Sequence, residues 1–120
     1  MSNEALVQQQ IRLALGRVPG LVLLRNNIGT MTDRTGRVVS FGVGGKGGSD
    51  LIGWRTVNGV AVFCAIEIKD RGSVTPDQRR FLDAVQRAGG IAGVARDVEE
   101  ARAILGVSGQ FTLAAPVQPL

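Results

Sequence analysis

The dipeptide Asn58-Gly59 constrains this chain more than any other feature. It separates two largely apolar runs, Leu51 to Thr56 and Val60 to Lys69, by two residues that accept positive φ. A two-residue connection of this type is a strong hairpin signal, so the runs are expected to pair as antiparallel strands. The consequence lies at their far ends, where Asp50 stands at the start of the first run and Glu67-Ile68-Lys69 closes the second. Side chains alternate along a strand, so Ile66 and Ile68 share one side while Glu67 and Lys69 share the other. Charged groups on an otherwise apolar strand are costly unless they are paired or hold a metal. An isolated Glu-x-Lys is better explained by an exposed sheet face; the nearby Asp50 shifts the balance toward a shared site. Carboxylates with water suit Mg2+, a hard cation with oxygen ligands. Lys69 is then placed to hold or deprotonate an attacking water, or to neutralise charge that develops on a phosphate.

Composition narrows the chemistry by exclusion. The 120 residues include no histidine, which removes Ser-His and Cys-His nucleophiles and every histidine zinc site. The single Cys64 excludes an internal disulfide and reads as a small core residue. Fourteen basic side chains stand against ten acidic ones, and because only Lys46 and Lys69 are lysines, twelve are arginines. Arginine favours planar phosphate contacts, so nucleic acid is a plausible partner. The length suits one domain, expected over residues 1–106, with a flexible C-terminal tail over residues 107–120. No apolar run reaches the roughly 18 residues of a membrane span and no export signal is visible, so a soluble cytoplasmic protein is expected.

The flanking segments supply further candidates. Val7, Ile11, Ala14, Leu15 and Val18 follow the spacing of one helix face over Asn3 to Arg17, and Glu4 falls within that face, pointing inward. Leu21 to Asn26 reads as a strand, and Asp33-Arg34-Thr35-Gly36 as the turn of a hairpin leading to Arg37 to Phe41. Thr75-Pro76-Asp77-Gln78 marks a helix start, with Gln78 on the interior face beside Phe81, Leu82 and Val85. Ile91 to Ala95 reads as a strand, and Asp97 opens a last helix closed by Gly106. The fold class expected is α/β, a mixed central sheet flanked by helices.

The glycine-rich stretch Gly42 to Asp50 fits neither familiar phosphate loop. Ser40 stands where a P-loop needs its first glycine, and the match to a dinucleotide fingerprint is followed by strand rather than helix. A flexible loop carrying Lys46 toward a phosphate, or a plain connector, remains.

Asp50 with Glu67-Ile68-Lys69 resembles the PD-(D/E)XK nuclease core. The fuller pattern of Glu4 and Gln8, Arg25-Asn26 with Gly29, Gly47-Gly48-Ser49-Asp50-Leu51-Ile52-Gly53 and Thr75-Pro76-Asp77-Gln78 with Phe81 resembles its virus-type replication-repair branch, VRR-NUC, in the stand-alone form that phages encode. One departure is Ser49, where that family often carries proline. The resemblance implies a restriction-endonuclease-like fold and a Mg2+- or Mn2+-dependent phosphodiesterase. Asp50, Glu67 and the Ile68 carbonyl are implied as ligands, Lys69 as catalytic lysine, Glu4 as helix-one acid and further ligand, and Gln78 as catalytic polar residue. It also implies a homodimer acting on branched DNA such as Holliday junctions. Arg25, Arg34, Arg37 and Lys46 are the candidate DNA contacts. A non-catalytic basic DNA-binding module and a restriction-type duplex endonuclease are the alternatives.

Overall fold

In the computed structural model, which describes residues 2–107, the elements run α1 (Asn3–Leu15), β1 (Leu21–Arg25), β2 (Gly29–Thr32), β3 (Val38–Phe41), β4 (Leu51–Val57), β5 (Val60–Ile68), α2 (Pro76–Arg87), β6 (Ile91–Ala95) and α3 (Val98–Leu105). The segment read as a tail lies, apart from Val107, outside the described residues. The expected hairpin forms: Asn58 has φ 52° and Gly59 φ 79°, and β4 and β5 pair antiparallel from Val57↔Val60 to Leu51↔Ile66. Two positive φ values suit the twist that the flanking strands require.

β1 adds to β4 antiparallel and β6 to β5 parallel, giving a four-stranded sheet in the order β1-β4-β5-β6. Helix α2 supplies the crossover between parallel β5 and β6, so the sheet is mixed and flanked by helices, the expected class. β2 and β3 form a separate two-stranded hairpin. Its turn is held by the Asp33 carboxylate, which accepts from the backbone N–H groups of Thr35 and Arg37 and from the Thr35 hydroxyl. These bonds hold the Asp33 carboxyl below its usual range.

The two sheet faces differ in cover. On one, α1 and α3 close over Leu21, Leu51, Cys64, Ile66 and Ile68, with Ile11, Leu15 and Leu105 buried among them. On the other, α2 packs through Leu82 and Val85 against Ala65 and Ala92. Helix α1 ends at Leu15, two residues before the expected limit, with Gly16 as its C-cap, and Ala14 is exposed rather than on the buried stripe. Helix α2 begins with the expected capping box: the Thr75 hydroxyl accepts from Gln78 N–H, and Gln78 Oε1 accepts from Thr75 N–H. Helix α3 is capped by Asp97 and closed by Gly106 at φ 70°. Among the described residues, no helix is long and apolar enough to cross a membrane.

A Cβ at Gly59 would meet no atom within 4 Å, so substitution there tests backbone conformation alone. Gly59→Ala is expected to lower the unfolding free energy by about 1–2 kcal/mol, the cost of a left-handed backbone for a residue with a side chain, measured by urea denaturation.

Candidate functional site

The site arises from a mismatch in strand length. The last β4–β5 pair is Leu51↔Ile66, but β5 continues to Ile68. The Ile68 N–H, beyond the end of its partner strand, donates to Asp50 Oδ2 at 2.8 Å. Asp50 precedes Leu51 and Glu67 follows Ile66, so alternation turns both carboxylates toward the face that carries α2. The side chains of Ile66 and Ile68 enter the core on the opposite face, as alternation predicts.

Glu67 is only 3% exposed, which rules out a solvated sheet face. Burial, followed by the charge of Asp50 and hydrogen bonding to it, pushes the Glu67 carboxyl up from 4.5 to about 8, while the Lys69 ammonium acts in the opposite sense. Lys69 is half-buried, and its backbone N–H donates to the Ala95 carbonyl at 3.2 Å, which ties the end of β5 to β6. Among the described residues, no group of three or more His, Cys, Asp or Glu is arranged to hold a metal. The pair Asp50 and Glu67 fits a Mg2+-type ion, which is commonly bound by one or two carboxylates and keeps several waters.

Two expected members stand differently. Glu4 is exposed rather than inward: it lies in the first turn of α1, and its Oε2 accepts from Asp70 N–H at 3.4 Å, beside Asn3, whose Nδ2 donates to Asp70 Oδ2 at 3.1 Å. It therefore borders the end of the Glu-x-Lys strand without joining buried Glu67 and half-buried Asp50. Gln78 is half-buried rather than fully interior, and its carbonyl oxygen is engaged by the Thr75 backbone in the helix cap.

The approach to Asp50 is tightly packed rather than flexible. Gly45–Gly47 forms a 3-10 turn whose Gly47 is buried, as is its C-cap Gly48; a Cβ on Gly47 would strike the backbone of Asp77, and one on Gly48 the Val43 carbonyl. Exposed Lys46 pairs with Asp77 at 3.7 Å, and Arg80 pairs with the same carboxylate. Asn26 joins this turn to the sheet: Nδ2 donates to the Val43 and Ser49 carbonyls at 2.8 and 2.9 Å, Oδ1 accepts from Val43 N–H at 3.0 Å, and its backbone N–H donates to the Asp50 carbonyl at 2.9 Å. The sequence contained Asn26 but no signal of this role, because its partners lie 17 to 24 residues away. Ser49 Oγ is buried without a hydrogen-bond partner. Of the candidate DNA contacts, Arg25 is exposed at the end of β1, opposite Leu51. Arg34 is exposed in the β2–β3 turn, where Arg37 pairs with Asp33 at 3.5 Å.

A family model described as the VRR-NUC domain matches residues 37–99, a span that holds Asp50, Glu67, Lys69 and Gln78 and excludes Glu4. Searches of curated proteins and of solved structures returned no match.

The raised carboxyl has a stability consequence. Between 4.5 and about 8 the folded protein binds more protons at Glu67 than the unfolded chain, so this group's contribution is greatest at low pH and is lost as pH rises through about 8. Glu67→Gln is expected to raise the melting temperature of the metal-free protein at pH 8.5 and leave it nearly unchanged at pH 5, by calorimetry. Asn26→Ala removes three side-chain hydrogen bonds and is expected to cost about 2–4 kcal/mol at roughly 1 kcal/mol per bond, read by chemical denaturation.

Proposed function

The chain belongs to the VRR-NUC family of nucleases, and on that premise we propose that it is a divalent-metal-dependent DNA endonuclease whose centre is Asp50, Glu67 and Lys69. The observation that carries this reading is the buried Glu67 carboxyl beside Asp50. Two adjacent acids, one with its ionisation suppressed, form a site that a dication would favour by replacing a proton.

Asp50 and Glu67 would hold Mg2+, or Mn2+ in its place, with the Ile68 carbonyl as a further oxygen donor. When bound, such an ion supplies charge neutralisation at a phosphate oxygen and lowers the pKa of water. Lys69 Nζ would orient the attacking water or carry the proton that it loses. Asp50 also anchors Ile68, so the end of β5 stays in place. Glu4, bordering the site through Asp70, would act as an outer acid, and Gln78 would do so only if its amide leaves the helix cap. Exposed Arg25, Arg34 and Lys46, with Arg37, would contact phosphates, which position DNA without reading its sequence.

We further propose branched DNA, such as a four-way junction, as the substrate and a homodimer as the working form. The net charge of +4 suits a phosphate-rich partner. A two-fold assembly would present one site to each of two symmetric strands.

The test incubates the full chain with duplex, flap, single-stranded and four-way DNA, with and without Mg2+. Mg2+-dependent nicking, strongest on the junction, is expected. Lys69→Ala and Glu67→Ala should fold but lose roughly 10²–10⁴-fold in nicking rate, the usual range for a positioned proton-transfer group. Glu67→Ala should also lose calorimetric Mn2+ binding. Undiminished cutting by either variant would overturn the assignment of that residue, and a salt-dependent junction shift without cleavage would favour a binding module. A discrete cut site on plasmid DNA would replace the junction with a duplex sequence. Full activity of Glu4→Ala would leave Glu4 only the role of a first-turn acid that complements the helix dipole.

A further inference from the structure

The sheet face that carries the site is only half covered. Residues of β1, β4 and β5 with their side chains on this face are Val22 and Leu24, Ile52 and Trp54, and Phe63 and Ala65, as their pairings Val22↔Trp54, Leu24↔Ile52 and Trp54↔Phe63 require. Helix α2 covers Ala65 and part of Ile52. Toward β1 the remainder is less covered: Leu24 is 49% exposed, Trp54 40% and Phe63 39%. Phe63 also borders a cavity of about 450 Å³ against Ala84, Ala88 and Gly90, so the same face offers both half-exposed aromatic rings and an adjoining hollow.

We infer that this face is where a second copy of the chain docks. The inference rests on the homodimer reading above and supplies it with a surface. Three observations choose that occupant. The exposed parts of these side chains and of the hollow's walls amount to an apolar area on the order of 400 Å², given about 150–250 Å² for a whole aromatic side chain. A standard interface takes about 800 Å² from each partner, a little over half of it apolar, so the exposed area fits one side of a dimer. Secondly, Val22, Leu24, Trp54, Thr56, Ala61 and Phe63 include no charged group, and a surface for the DNA backbone would require cations. Thirdly, β1 borders the open area and is paired only on its β4 side among the described residues, which leaves edge N–H and C=O groups for a symmetric strand partner. A contact about a two-fold axis must be self-complementary, and a ring beside a hollow on one face meets that condition. Asn26 and Asp50 continue the same rows of side chains, so docking here would put two metal sites into one assembly.

Trp54 is the chain's single tryptophan, so its emission reports directly on this face. The experiment is sedimentation velocity with parallel fluorescence on the full chain, without metal or DNA, from micromolar to submillimolar concentration. A monomer-to-dimer transition is expected, accompanied by a blue shift of Trp54 emission. Leu24→Glu and Phe63→Glu, both at half-exposed positions, should keep the native circular dichroism and raise the dimer Kd tenfold or more. Val38→Glu, on the exposed β2–β3 hairpin, should leave the Kd unchanged.

A wild-type monomer at every concentration would overturn the inference. So would Trp54 emission that does not vary with concentration, the signature of an open face or of one covered by residues 108–120 of the same chain. Loss of the dimer in Val38→Glu but not in Phe63→Glu would move the interface to the hairpin. A monomer whose Trp54 emission is quenched by metal-free single-stranded DNA would assign the face to base stacking. Mn2+ binding is measured separately: its absence in the wild type would count against the metal reading and leave the docking surface standing, whereas its retention in monomeric Phe63→Glu would separate the two.

Discussion

A single backbone donor organises the end of the sheet that carries the candidate site. β5 outruns β4, and the N–H of Ile68, left without a ladder partner there, is taken by the Asp50 carboxylate. A buried N–H without an acceptor would cost about 1–3 kcal/mol, so an acid at position 50 does structural work before any chemistry. The same geometry makes Asp50 and Glu67 neighbours, because the residues that follow the last ladder pair fall on one face. The mismatch therefore satisfies a strand end and creates an acidic pair at once.

Keeping that pair costs stability, and the surrounding architecture shows how the cost is contained. The opposite face is closed by two helices over an apolar cluster that includes Ile66 and Ile68, the immediate neighbours of Glu67 in sequence. Burial of these side chains holds Glu67 in register even though its own carboxylate would prefer water. On the Asp50 side, Asn26 spends its whole amide on the glycine-rich turn, joining the ends of the β2–β3 excursion to the residue before Asp50. Glycine at positions 47 and 48 is then a requirement of close packing against Asp77 and Val43. The unpartnered Ser49 hydroxyl is a local exception to this economy, and a proline at that position would remove it.

The parts of the fold that were legible in the sequence are those governed by local chemistry. Asn58-Gly59 specified a hairpin because few residues tolerate two successive positive φ values, and alternation then sided Glu67 with Lys69. Thr75 to Gln78 marked a helix start because the capping box is complete within four residues. Glu4 was missided for a definable reason: a helical wheel gives direction around an axis but no position along it, and Glu4 lies in the first turn, where its direction leads to the border at Asp70. Gln78 was ambiguous because one amide can serve a cap or a site, and the wheel does not separate them. The Asn26 contacts were invisible because a side chain's long-range partners leave no periodic trace. The half-open face was hidden for the opposite reason: Leu21 to Leu24 is apolar at every position, and continuous apolarity reads as burial on both sides whether or not a helix is present to provide it.

On the proposed reading, access to a phosphate would explain part of that opening but not its extent. A site at the C-terminal end of β5 must be reachable from solvent, so α2 cannot cover Asp50 and Glu67 completely. Trp54 and Phe63 lie toward the hairpin end of the same strands, where no phosphate needs to pass. Leaving an indole and a phenyl ring half in water there sacrifices burial that one more turn of helix would recover, at about 25 cal/mol for each Å². The other two helices both lie on the face away from the candidate site. An isolated subunit gains nothing from that distribution, whereas the proposed two-fold assembly would recover the burial and bring a second pair of carboxylates into the same particle.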